Sequence, residues 1–155
     1  MKKLGKDIID FFNRQRFVII ATVDNNGFPH TSCKGILDVE EDKIYLLDLY
    51  THNTYVNIKK NNLVSITAVD EEKFMGYCVK GKATIVDLSS DRSSLLKRWD
   101  ERLLERVLRR ILIHIKKDKS SLYHPEIRMS HPKYVIRVEP KEIISLSPPD
   151  GQMRE

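Results

Sequence analysis

Four consecutive side chains that can form hydrogen bonds, Thr51, His52, Asn53 and Thr54, stand where a short helix is predicted to begin. The first turn of a helix has backbone N–H groups without intrahelical acceptors, and these groups carry the positive end of the helix dipole. Hydroxyl, amide and imidazole groups in the same turn add donors, so the cluster predicts an anion site of the kind that binds a phosphate. The alternative is ordinary capping, in which Thr51 or Asn53 closes the helix and binds no ligand.

The sequence also indicates how the same helix, predicted over residues 51–62, ends at its C-terminus. Lys59 and Lys60 fall in its last turn, where cations complement the dipole, and we expect both ammonium groups to be solvated. Asn61 or Asn62 is expected to close the helix in the left-handed conformation. Neither lysine is assigned to a ligand.

The elements that position the cluster are mostly strands. Hydrophobic periodicity predicts a short helix, five strands, a long helix over 89–118 and a last strand, in that order. The short helix is "KDIIDFFNRQR". The strands are "FVIIATVD", "FPHTSCKGILDV", "KIYLLDLY", "LVSITAVD", "GYCVKGKATIVDL" and, after the long helix, "KYVIRVEPKEIISLS". "NNG" at 25–27 predicts a hairpin turn. Because most strands are joined by short turns, the class is mainly β or α+β with an antiparallel sheet or barrel.

Length, charge and hydropathy narrow the classes of function. A chain of 155 residues with 41% apolar and 32% charged residues fits one globular domain, here residues 1–155. The net charge of +5 favours anionic partners. The arginines of the long helix are interleaved with Glu101 and Glu105, which favours a salt-bridged, solvated face over a nucleic-acid-binding face. Trp99, inside the same helix, is expected in the core or at an interface.

We expect a soluble cytoplasmic protein. Residues 1–10 are polar and do not resemble a signal peptide, and no apolar run approaches the ~20 residues that span a bilayer. Cys33 and Cys78 each lie in a predicted strand, so both are expected to be buried thiols in a reducing compartment.

Three stretches together resemble the pyridoxamine 5'-phosphate oxidase-like family of flavin-binding split barrels. They are "ATVDNNGFPHTS", "KIYLLDLYTHNTYVNIKKNNLVSI" and "VKGKATIV". The resemblance covers roughly residues 17–86, with weaker agreement in "KYVIRVEPKEI". It implies a six-stranded antiparallel split barrel with flanking helices, a homodimer, and FMN in a groove at the dimer interface.

Carried over by position, the resemblance implies a set of cofactor-binding residues. The strand from Ser32 to Leu37 would run beside the isoalloxazine and the ribityl chain, and Leu47 and Asp48 would close the third strand near the flavin. The phosphate would lie at the cluster that begins the helix. The full set is Ser32, Cys33, Lys34, Gly35, Leu47, Asp48, Thr51, His52, Asn53 and Thr54.

The chain departs from the family pattern at the phosphate. Asn53 and Thr54 fall where the family often has a basic pair, so positive charge must come from elsewhere, with Lys34 the first candidate and His52 the second. The alternative for Lys34 is a solvated position on the outer face. Gly76 falls where pyridoxamine-phosphate oxidases carry a polar side chain near the ring, supplied by the second subunit.

These departures favour a flavin without vitamin B6 oxidation, since "SLSPPDGQMRE" also lacks the oxidases' C-terminal Arg-containing substrate motif. The first hypothesis is an FMN-dependent oxidoreductase for a small molecule, with Lys34 or the backbone near Gly35 stabilising reduced flavin at N1. The second is a non-catalytic module that binds FMN, a deazaflavin such as F420, or haem, or transfers electrons. The third is an interaction protein with an empty groove.

No catalytic residue is assigned. Tyr50, Tyr77 and His30 are the only candidate general acids or bases, although a surface strand position explains His30 equally well. His124 and His131, with Glu126 between them, are residue types that can bind a metal ion. Because no further clear ligand accompanies them, no metal site is predicted. A helix-face role is expected for His114.

Overall fold

A computed structural model describes residues 2–48, 51–88, 97, 98, 100, 101, 104, 132 and 134–148. In chain order the elements are α1 (Lys6–Arg14), β1 (Phe17–Val23), β2 (Pro29–Val39), β3 (Ile44–Asp48), α2 (Asn53–Lys60), β4 (Leu63–Asp70), β5 (Met75–Asp87) and β6 (Tyr134–Ser145). All six strands pair antiparallel in one closed barrel, in the order β1-β2-β3-β6-β5-β4. The predicted mainly β class and the six-stranded antiparallel split barrel are confirmed.

The barrel closes where β1 pairs with β4, so its first strand lies between β2 and β4. Side chains along β1 alternate between a buried inner face and a more exposed outer face, which is the two-residue period of a strand. The register shifts between Ile36 and Asp38 in β2 and between Lys80 and Gly81 in β5. Such bulges bend strands and increase their twist, which helps a small sheet to close.

Two apolar clusters hold the fold. The larger fills the barrel interior and includes Phe11 and Phe12 of α1 and Ile58 of α2, so both helices pack against the core. The smaller lies on the outer face of β2, β3, β5 and β6 and comprises Leu37, Leu47, Leu88 and Val135.

The turn between β1 and β2 confirms the predicted hairpin. Gly27 has a φ of 84°, which a glycine adopts without strain. The carboxylate of Asp24 accepts hydrogen bonds from the backbone N–H groups of Asn26 (2.8 Å) and Phe28 (2.9 Å). The turn is therefore fixed by an aspartate as well as by the glycine.

Most of the predicted long helix lies outside the described residues. Within 89–118 the structure describes residues 97, 98, 100, 101 and 104, and these are helical. The Arg98 guanidinium contacts the carboxylates of Asp38 and Glu40, so this arginine is salt-bridged to the barrel. Predictions for several other residues lie outside the described part of the chain: Tyr50, Trp99, His114, His124, Glu126 and His131.

The described ranges contain neither a membrane-spanning helix nor a cluster of metal ligands. None of the helices there has the length and apolar composition needed to cross a bilayer. Nor does any group of three or more His, Cys, Asp or Glu side chains lie close enough there to hold a metal ion.

The expectation of two buried thiols is wrong. Cys33 is exposed and Cys78 is partly exposed. Cys33 projects from the outer face of β2, since its neighbours Ser32 and Lys34 face inward. The Cys78 thiol lies 3.0 Å from the Ser65 hydroxyl on the adjacent strand. The register of a strand decides on which face of the sheet each side chain lies, whatever the hydrophobicity of that residue.

Candidate functional site

The first turn of α2 is the centre of the candidate site. His52 is the residue before the first helical position and makes no side-chain capping hydrogen bond. The alternative, in which Thr51 or Asn53 occupies the capping position, is therefore not what the structure shows. The first intrahelical bond runs from the Val56 N–H to the His52 carbonyl (3.2 Å). The N–H groups of the preceding helical residues therefore have no acceptor within the helix.

The surroundings of this turn leave its positive end accessible. Thr51, His52 and Asn53 are all exposed. The first turn contains no acidic residue, whereas Lys59 and Lys60 occupy the last turn. Because no carboxylate within α2 neutralises the positive end of the dipole, the turn presents the electrostatic environment that an anion prefers.

Thr54 does not face solvent with its neighbours. It is 3% exposed, and its Oγ1 lies 2.8 Å from the Ser32 hydroxyl, where either group can donate. One turn later the Asn57 side-chain amide donates to the Thr22 hydroxyl (3.0 Å). These two contacts fix α2 to β2 and β1, so the direction in which its first turn points is set by the barrel.

Lys34 and Asp48 form a buried ion pair. The ammonium nitrogen lies 2.8 Å from Asp48 Oδ2, and the side chains are only 12% and 2% exposed. Lys34 therefore does not occupy a solvated position on the outer face. Its ammonium reaches an anion, but the anion belongs to the protein. The predicted source of positive charge for a phosphate is thus already paired in this structure.

Tyr134 completes the buried network. It pairs with Asp48 across β3 and β6, and its ring lies edge-on to Tyr55, with centroids 4.9 Å apart. Burial raises the pKa of the Tyr134 phenol, and the hydrogen bond to Asp48 raises this pKa further. Asp48 therefore has a cationic partner on one side and a neutral hydroxyl donor on the other.

We expect Tyr134 to remain protonated in alkaline solution beyond the usual tyrosine pKa of about 10. Because its folded pKa is raised, its contribution to stability is complete below pH ~10 and is lost as the pH rises towards the folded pKa. A spectrophotometric titration of the folded protein should show the same tyrosinate absorbance up to pH ~11 in the wild type and in Tyr134→Phe. Extra absorbance from the wild type in that range would contradict the assignment.

The remaining predicted residues lie along β2 and β3. Gly35 pairs with Phe17 on one side and with Leu47 on the other. Leu47 is buried in the outer apolar cluster, so its side chain faces away from Lys34 and Asp48. Of the predicted set, the structure brings Ser32 to Thr54 and Lys34 to Asp48 by direct contact, whereas Cys33 is on the opposite face.

Three further expectations have structural outcomes. Asn61 closes α2 with φ −134°, so the predicted left-handed cap is wrong. The ring of Tyr77 packs edge-on against Phe11, while His30 is half-buried beside Thr22. A Cβ added at Gly76 would lie 2.8 Å from the Ala68 carbonyl oxygen and 2.9 Å from Val69 Cγ1. That position has no room for the polar side chain found in the oxidases.

Asn57 is the contact that sequence reasoning missed. The polar residue is 4% exposed, and an unpartnered amide at that depth would cost free energy. Its position three residues after Thr54 places both on the same helix face, which was the available signal that α2 turns a polar stripe towards the barrel.

The site fits a phosphate group through neutral donors. The N–H groups of the α2 first turn, which have no acceptor within the helix, can donate to phosphate oxygens, as can the Asn53 amide and the Thr51 hydroxyl. Lys34, by contrast, is paired with Asp48. An open groove of about 530 Å³ lies at the other end of α2, lined by Lys59, Lys60, Asn61 and Asn62 among others. It contains none of the predicted site residues.

Comparison with known proteins gives a consistent result. A family model described as pyridoxamine 5'-phosphate oxidase matches residues 4–147. No curated protein matches the sequence. Solved structures do match. HupZ of Group A Streptococcus is 22% identical, with 93% of this chain and 94% of that chain covered and a TM-score of 0.67.

Two further solved structures share the fold. An F420 reductase is 18% identical over 91% of this chain and 98% of its own, with a TM-score of 0.59. General stress protein 26 of Bacillus anthracis is 17% identical over 88% of this chain and 89% of its own, with a TM-score of 0.56. At these identities the likeness concerns the fold.

Proposed function

We propose that this chain, which belongs to the pyridoxamine 5'-phosphate oxidase family, binds FMN and is an FMN-dependent oxidoreductase for a small molecule. The observation that carries the proposal is the first turn of α2, which contains no acidic residue, whose N-cap residue His52 makes no side-chain capping hydrogen bond, and which Thr54 fixes to the barrel. A phosphate at this turn gains hydrogen bonds from backbone N–H groups and a favourable dipole.

The family explains why the anion would be part of a flavin. Members of the family commonly bind flavins, and one structural neighbour is an F420 reductase. Bound FMN supplies hydride transfer. The chain contributes β2, whose Ser32 contacts Thr54 in the first turn of α2. We propose that this strand orients the ribityl chain and the ring.

A second copy of the chain is part of the proposal. The outer face of β1 carries Phe17, Ile19, Ala21 and Val23, an apolar row on the strand between β2 and β4. Phe17 is 58% exposed and Val23 is 38% exposed. Burying such a row on association is favourable. A homodimer through this face would place the second subunit beside β2 and therefore near the proposed flavin site.

The second candidate is a non-catalytic module that binds a flavin, a deazaflavin such as F420, or haem, or that transfers electrons. The pairing of Lys34 with Asp48 favours it, because the site then offers no fully available ammonium to a phosphate dianion. The lack of room for a side chain at Gly76 points the same way, since one contact to the ring in the oxidases is missing.

The Asn53→Asp substitution tests the proposed site. A carboxylate in the first turn of α2 stabilises the helix through its dipole but repels a phosphate. We expect FMN to bind at least about tenfold more weakly, while the binding of riboflavin, which lacks the phosphate, stays within about twofold and the melting temperature does not fall. Fluorescence titrations with both flavins and a melting scan measure these quantities.

Asn61→Asp is the matched control, because it introduces the same exposed carboxylate at the other end of α2. It should leave both flavin affinities unchanged. If Asn53→Asp weakens the binding of FMN and riboflavin equally, or leaves the FMN affinity unchanged, the assignment of the phosphate to this turn is wrong. Absence of binding of either flavin to the wild type would refute the flavin proposal and favour haem or an interaction role.

A further inference from the structure

The ion pair between Lys34 and Asp48 lies directly beside the proposed phosphate site. Ser32 and Lys34 are two residues apart on β2 and share its inner face. The Ser32 hydroxyl contacts Thr54 in the first turn of α2, and Lys34 contacts Asp48 at the end of β3. The segment from Asp48 to α2 is only a few residues long. The ammonium and its counter-ion are therefore neighbours of the anion-binding turn.

Asp48 is placed to hold the ammonium firmly. Its side chain is 2% exposed, and the Tyr134 hydroxyl donates to it from β6. The Lys34 ammonium lies 2.8 Å from Asp48 Oδ2, and at this distance and burial the two opposite charges attract strongly. As long as Asp48 is ionised, the pair adds no net charge to the neighbouring site.

Other positive charges near α2 do not replace Lys34. Lys60 donates to the Asn25 side chain (2.7 Å), and the Lys59 ammonium lies over the Tyr55 ring. Both belong to the last turn of the helix, away from the first turn.

We infer that Asp48 is the specificity-determining residue of this site: by neutralising Lys34 it leaves the phosphate to the neutral donors of α2 and so limits the preference of the site for FMN over riboflavin. This inference rests on the proposed flavin site and deepens it. The wild type then prefers FMN only by what the first turn of α2 contributes. Removing the charge of Asp48 adds the Lys34 ammonium to the phosphate site and raises that preference.

The physical reason lies in the burial of Lys34. A buried ammonium that loses its counter-ion is strongly unfavourable and either gives up its proton or recruits another anion. In Asp48→Asn the neighbouring α2 turn offers a position where a phosphate oxygen can be held by N–H groups and by the ammonium together. A charge-assisted bond of this kind is stronger than a bond from a neutral donor.

The first experiment uses inorganic phosphate alone, with sodium chloride at matched ionic strength as the reference. Melting temperature is measured against phosphate concentration for the wild type, Asp48→Asn and the double variant Lys34→Gln/Asp48→Asn. We expect a saturable rise for Asp48→Asn that is clearly larger, and half-saturated at lower phosphate, than the rise for the wild type and the double variant. A rise of the same size in the wild type, or no rise in Asp48→Asn, overturns the inference.

The second experiment compares the dissociation constants of FMN and riboflavin in the same three proteins. The preference for FMN should agree within about threefold between the wild type and the double variant, and should be at least about tenfold larger in Asp48→Asn. The double variant contains no lone buried charge, so it serves even if Asp48→Asn is too unstable to measure. A fall of about tenfold in its FMN preference relative to the wild type would show that Lys34 already holds the phosphate.

The two experiments separate this inference from the flavin proposal. If neither flavin binds the wild type while phosphate stabilises Asp48→Asn more than the wild type, the flavin proposal fails and the neutralising role of Asp48 stands. If both flavins bind but the FMN preference does not respond to Asp48→Asn, the flavin proposal stands and the role of Asp48 is wrong.

Discussion

Replacing Lys34 with methionine is expected to lower the free energy of unfolding by about 3–5 kcal/mol. Methionine fills a similar volume, so little of this loss comes from packing. It comes from Asp48, whose carboxylate is 2% exposed and loses the ammonium that lies 2.8 Å away. The Tyr134 hydroxyl alone does not replace that charge. Urea unfolding monitored by circular dichroism measures the change.

Two companion variants make the prediction specific. Lys34→Met/Asp48→Asn removes both charges and keeps an acceptor for Tyr134, so it should recover most of the loss. Lys3→Met removes an equivalent side chain from an ion pair with Glu41 whose members are 75% and 67% exposed, and should leave the unfolding free energy almost unchanged because solvent screens the pair. If the double variant is as unstable as Lys34→Met alone, the penalty is one of packing and not of an uncompensated charge.

The position of Asp48 opposite Lys34 depends on a bulge that no sequence pattern showed. Near the turn, Val39 pairs with Ile44 and Asp38 with Tyr45. Continued without a shift, that register would place Leu49 opposite Lys34 and turn Lys34 towards the outer face, whereas Asp48 would keep the inner face that it shares with Leu46. The shift between Ile36 and Asp38 moves the partner by one residue, and a one-residue slip reverses every side chain. A buried salt bridge between β2 and β3 was therefore beyond sequence reasoning.

The strands themselves were predictable because their signal is local. β1 and β4 are bounded by turn residues and rich in β-branched side chains, and both form within a residue of the predicted limits. The closure of β1 against β4 is not local. It was inferred from the resemblance to a family of split barrels, and the structure confirms it.

The start of α2 shows where propensity gives way to tertiary contacts. Thr51 and Asn53 are good capping residues, yet the helix begins after His52. The buried contacts from Thr54 to Ser32 and from Asn57 to Thr22 select the helix phase. With those two residues turned inward, the preceding side chains are left exposed at the first turn, which is the arrangement that the proposed phosphate site needs.

Replacing Phe11 with alanine is expected to cost about 3–5 kcal/mol of unfolding free energy. The ring is fully buried and lies edge-on to two others, 5.6 Å from Phe12 and 5.1 Å from Tyr77 between centroids. Tyr77 belongs to β5, so this contact joins α1 to the barrel. The substitution leaves a cavity and removes two aromatic contacts, each typically worth about 0.5–1.5 kcal/mol beyond burial.

The matched control is Phe28→Ala, which removes the same side chain where it is 68% exposed and should change the unfolding free energy by no more than about 0.5 kcal/mol. A loss at Phe11 as small as that at Phe28 would mean that α1 is not part of the cooperative core. A large loss assigns α1 to that core. The flavin titrations of Phe11→Ala, done at a temperature where the variant is folded, then ask whether the site depends on α1; with contacts only from α2, β2 and β3, it should not.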